Sequence, residues 1–162
     1  MFNAQRMEAD SIKLASDDMQ GRVPGSDGHA AAAEYIAAQF EAAGLEPAGD
    51  DGTWYQAFEM EGPEGKPVTV RNVLGVIPGN NDEWREQSVV LSAHYDHLGL
   101  GWPDAKAGNK GQVHNGADDN ASGVAVMLEL ARTLGKSMEP ARAVVFAAFT
   151  GEEAGLQGAR HY

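Results

Sequence analysis

The sequence predicts an α/β fold built on an open sheet that is parallel at its centre, and three observations predict it. Residues 88–93 (SVVLSA) and 143–149 (AVVFAAF) are uncharged, mostly apolar runs with the length of buried strands. Between them Val124, Met127, Leu128, Ala131 and Leu134 recur at helical spacing. A strand, a helix and a strand joined in this way form a βαβ unit, whose strands run parallel. Finally, His94-Tyr95-Asp96 follows the first strand and Thr150-Gly151-Glu152-Glu153 the second. Polar groups at the carboxyl ends of such strands converge on one crevice.

The remaining elements follow in chain order. An opening helix carries Ile12, Leu14 and Ala15 and runs to about residue 19. Gly21, Pro24, Gly25 and Gly28 make residues 20–28 a loop. Ser26 or Asp27 caps an alanine-rich helix over 29–43, with Tyr35, Ile36 and Phe40 on one face and Gly44 as its stop. Residues 53–60 read as a short strand and 68–77 as a longer one, with a turn at 78–82. Residues 99–116 are rich in glycine, asparagine and lysine, a loop long enough to be functional. Gly135 closes the amphipathic helix, the next strand spans 142–149, and a last helix starts at Leu156.

Composition removes several classes of function. At 162 residues the chain has the size of one domain, 1–162. A net charge of −12 argues against nucleic acid, whose phosphates require a basic surface. With no cysteine, thiolate metal sites and disulfides are both excluded. No apolar run is long enough to span a membrane, and the first ten residues lack the apolar core of a signal peptide, so localisation stays unknown.

Three short segments carry the chemistry. His94 and Asp96 lie two apart at a strand end and so point to the same side, where the carboxylate can fix the tautomer of a metal-bound imidazole. Asp118, Asp119 and Asn120 sit between the glycine-rich loop and the next helix. Asp119 and Asn120 suit helix caps, whereas Asp118 lies outside the helix, where a ligand should. Adjacent Glu152 and Glu153 repel each other unless a cation neutralises one, which leaves the other free as a general base. Taken alone, His94-x-Asp96 is more readily a surface histidine beside a solvated aspartate, Asp119 and Asn120 are more readily helix caps, and Glu152-Glu153 is more readily a solvated acidic turn. In combination they supply imidazole and carboxylate donors suited to zinc.

The segments 92–99 (SAHYDHLG), 115–123 (NGADDNASG) and 150–156 (TGEEAGL), with 19–25 (MQGRVPG) upstream, resemble the M28 family of co-catalytic zinc aminopeptidases over nearly the whole chain. The resemblance implies a three-layer α/β/α sandwich with a mixed, largely parallel central sheet, incomplete at its C-terminus. It makes His94, Asp118 and Glu153 zinc ligands, Asp118 bridging two zincs, and Glu152 the general base. Asp96 would support His94, and Asp119 would stand behind Asp118, joined to it by a cis peptide bond. The family's other carboxylate and C-terminal histidine ligands lie further downstream, and His161 is a poor substitute. At most one zinc is then well liganded, and the fragment is expected to be inactive alone. The family's protease-associated insert is not seen. His29, His97 and His114 are left as surface or supporting residues, the last two on the substrate side.

The implied reaction is hydrolysis of N-terminal peptide bonds, with peptide or protein N-termini as substrate. The fold also supports carboxypeptidases, single-zinc glutaminyl cyclases that act as acyltransferases, and non-catalytic binding domains. These remain alternatives.

Overall fold

Five strands form one mixed sheet in the computed structural model, which describes residues 2–162. They are β1 (Glu46–Pro47), β2 (Tyr55–Glu61), β3 (Pro67–Ile77), β4 (Ser88–His94) and β5 (Ala143–Phe149). The sheet order is β1-β3-β5-β4, and β2 pairs with β3 beside β1. The helices are α1 (Ala4–Leu14), α2 (Asp27–Ala43), α3 (Ser122–Leu134) and α4 (Gln157–His161).

The βαβ reading holds: β4 and β5 are parallel and in register from Ser88↔Ala143 to His94↔Phe149. The rest of the sheet is antiparallel, since β1, β2 and β5 all run opposite to β3. The expectation of a largely parallel sheet therefore describes only the β4–β5 edge. Five residues separate β2 from β3, too few for a crossover, so that pair must form a hairpin.

Helices α1, α2 and α3 gather on one face. Ile36 and Phe40 of α2 and Val124 and Leu128 of α3 join Val73, Val144, Phe146 and Ala148 in one buried cluster. Ser26 caps α2 by accepting from the His29 N–H at 3.1 Å, and Gly44 ends it at φ +86°, the left-handed conformation glycine adopts most readily. The opposite face carries only α4, so of the three expected layers the second helical one is represented by a single short helix among the described residues. Buried Asn72 anchors it: its side chain donates to the carbonyl of Gly158 at 2.9 Å and accepts from the N–H of Thr150 at 3.1 Å.

α1 is tied down by ion pairs. Glu129 of α3 accepts from Arg6 at 2.5 and 2.9 Å, and Arg132 bonds Asp10 at 2.6 and 2.9 Å. None of the helices is long and apolar enough to cross a membrane, among the described residues.

Candidate metal centre

Because β4 and β5 are parallel and in register, His94 and Phe149 end them at the same level, and the Tyr95 N–H still bonds the Phe149 carbonyl at 3.0 Å. The loops beyond therefore open side by side. His94 Nδ1 lies 3.2 Å from the Asp96 carbonyl and 3.7 Å from its Oδ1. A proton held on Nδ1 by these acceptors leaves Nε2 as the ligand atom. Nε2 faces Asp119 Oδ1 at 3.0 Å and Glu152 Oε2 at 3.9 Å.

A second cluster adjoins the first. His97 Nδ1 bonds Glu153 Oε1 at 2.6 Å. Ligand atoms of His97, Asp119 and Glu153 all lie within 4.8 Å of one another, a group able to hold a metal ion. Asp119 belongs to both clusters. It was expected to stand behind Asp118, but the exposed Asp118 side chain joins neither cluster, and only its carbonyl is engaged, by Ser122 Oγ at 2.9 Å. The turn Ala117–Ala121 accounts for the exchange: extended dihedrals of −119° and 92° at Asp119 carry its carboxylate to His94. The cis bond expected between Asp118 and Asp119 lies one position on, at Asp119–Asn120.

The other histidines separate clearly. His29 is buried, bonds Thr150 Oγ1 at 2.6 Å and stacks on Tyr95 at 4.8 Å. His114 packs edge-on against His97 at 6.4 Å, and His161 stacks on Phe58 at 4.7 Å, outside both clusters. Sequence reasoning left His97 as a supporting residue. Its adjacency to Asp96 was the available signal.

The electrostatics suit a cation. Burial opposes a charge on His94, yet the Asp96 bond and the negative charges of Asp96, Glu152 and Asp119 outweigh it and push the imidazole up to about 9. Burial raises the Glu153 carboxyl, partly offset by His97. Asp96 accepts the Glu152 N–H at Oδ1, while its buried Oδ2 has no hydrogen-bond partner. Imidazole nitrogens and carboxylate oxygens in such a field fit a divalent metal of zinc's character.

Comparison with known proteins decides the lineage. The Peptidase family M28 model matches residues 72–162, more than half of the chain and all three ligand-bearing segments. The chain belongs to peptidase family M28. Over 83% of its length it is 32% identical to a probable zinc metalloprotease of Pyrenophora tritici-repentis, covering 30% of that protein. Over 58% it is 36% identical to aminopeptidase YwaD of Bacillus subtilis, covering 17%. A Zn-dependent exopeptidase of Parabacteroides distasonis superposes with TM-score 0.75 at 26% identity, covering 94% of this M28 chain and 48% of that one. The chain thus spans less than a third of these two curated relatives and about half of that solved structure.

Proposed function

We propose that the M28 protein to which this chain belongs is a zinc-dependent aminopeptidase, with Glu152 as general base. The observation that carries the reading is Asp119, within reach of His94 on one side and of His97 and Glu153 on the other. In this reading His94, Asp119 and Glu153 hold zinc, Asp119 takes the shared position first given to Asp118, and His97 orients Glu153. Zinc bound there supplies Lewis-acid polarisation of the scissile carbonyl and acidifies water.

The chain's own residues do the rest. Asp96 fixes the His94 ring from Nδ1. Glu152, 36% exposed in its side chain, lines a cavity of about 300 Å3 with Ser92, His94, Asn120 and Leu156. Its carboxylate is free to take a proton from water as oxygen bonds the peptide carbonyl carbon. The C–N bond then breaks, and Glu152 returns the proton to the departing amine. The names of the curated relatives favour a peptidase over the cyclase alternative.

Two variants of the full-length protein test this. Glu152→Gln should keep its metal and lose on the order of 10²–10⁴ in turnover of an aminoacyl p-nitroanilide. Glu153→Gln should lose metal and activity together. Metal loss in Glu152→Gln with retention in Glu153→Gln would reverse the two roles. Full activity in both would end the proposal.

A further inference from the structure

Arg22 is buried and lies outside both clusters, yet its guanidinium touches the two segments that bring His94 and Asp119 together. Nε donates to the carbonyl of Tyr95 at 2.7 Å, next to His94. On the other side Nη1 donates to the Asn115 carbonyl at 2.8 Å and Nη2 to that of Gly116 at 3.0 Å. The Gly116 carbonyl also accepts the Ala121 N–H at 3.1 Å, closing the turn that carries Asp119. Nη1 reaches back to Leu14 at the end of α1 as well.

The backbone around Arg22 reinforces the contact. The His97 N–H bonds the Arg22 carbonyl at 3.3 Å, and the Gly99 N–H bonds that of Gly21 at 3.1 Å. Gly21 sits at φ +65°, pressed against Gly99 and the His114 carbonyl, where a Cβ would collide. Burial draws the guanidinium down to about 10, so it stays charged at neutral pH, facing Asp96 and Asp119 with no carboxylate bonded to it.

We propose that Arg22 is a positioning residue for the metal centre, a rigid fork that fixes the spacing between the His94 loop and the Asp119 turn. A planar guanidinium bonds several carbonyls in fixed directions, which the ammonium of lysine cannot reproduce. The proposal rests on the ligand set of the preceding section. Residues that orient ligands typically affect metal affinity by about 10–100-fold.

The test compares zinc affinity, by competition with a chromophoric chelator, in wild type, Arg22→Lys, Arg22→Gln and Asp10→Asn. Asp10 bonds Arg132 away from both clusters and has no bond to Arg22, so its variant loses stability while the Arg22 bonds to the His94 and Asp119 segments are kept. Affinity of the folded protein should fall about tenfold or more in Arg22→Lys, further in Arg22→Gln, and hold in Asp10→Asn. Equal affinity in wild type and Arg22→Lys overturns the fork while leaving the ligands standing. Absence of zinc binding in wild type overturns both. Should the Arg22 variants fail to fold, wild type decides by linkage, since zinc must then tighten the fork that favours it. Exchange of the Arg22 Nε proton should slow on zinc addition more than that of Arg6 Nε, which bonds Glu129. Equal slowing of the two overturns the proposal.

Discussion

His29 shows how one side chain ties stability to pH. Its ring is enclosed by Tyr95 and Thr150, and burial pulls it down to about 4, against Asp96, which raises it, with Arg71 and Arg22 lowering it further. Between its ordinary value of about 6.5 and 4, the unfolded chain takes up a proton that the folded chain refuses. Its stability contribution is therefore complete above pH 6.5 and is lost as pH falls toward 4. The loss should reach about 2 kcal/mol at pH 5 relative to pH 7.5. His94, raised to about 9, acts in the separate window above 6.5 and with opposite sign. Urea unfolding of wild type and His29→Gln at both pH values isolates the effect as the difference between the proteins. A pH dependence unchanged by the substitution would mean that His29 is not protected. The sequence offered no sign of this burial, because a lone histidine at a helix start looks like any surface residue. Asp119 was obscured for a related reason: adjacent aspartates share composition and spacing, and only the turn decides which faces His94.

Elements were far more legible than their pairings. Helical periodicity located α2 and α3, and apolar runs located β3, β4 and β5, to within a few residues. The burial expected of β4 does not hold, because it is the edge strand of the sheet and leaves Val89 and Val90 exposed. The parallel β4–β5 pair followed from the helix between them. The antiparallel neighbours of β3 did not, and the two-residue β1 is too short to leave a pattern. Nor did sequence reveal how α1 attaches, because its ion-pair partners lie more than 120 residues away. Asp10 accepts from Tyr35 at 2.6 Å and from both Arg132 nitrogens, with its own side chain almost entirely buried. Asp10→Ala leaves the Tyr35 hydroxyl without its acceptor and Arg132 with only Gln39 at 2.8 Å and Glu129 at 3.7 Å, and should cost about 3 kcal/mol in urea unfolding. A loss below about 0.5 kcal/mol, the range of ordinary surface changes, would show that the clamp adds nothing.

At the scale of the whole molecule, a chain with net charge −12 concentrates carboxylates where two parallel strands end together. The loops after β4 and β5 and the turn before α3 are distant in sequence and adjacent only through the sheet. Their joint appearance in the sequence indicated the family, while the choice among neighbouring carboxylates needed the backbone. A calorimetric zinc titration of wild type, Asp119→Asn and Asp118→Asn tests that choice most directly. Wild type should bind one zinc tightly, and Asp118→Asn should match it. Asp119→Asn should lose about a hundredfold or more, beyond the 10–100-fold typical of residues that merely support a ligand. Retention of full affinity in Asp119→Asn, or its loss in Asp118→Asn, would contradict the assignment of Asp119 as the carboxylate shared between the two clusters.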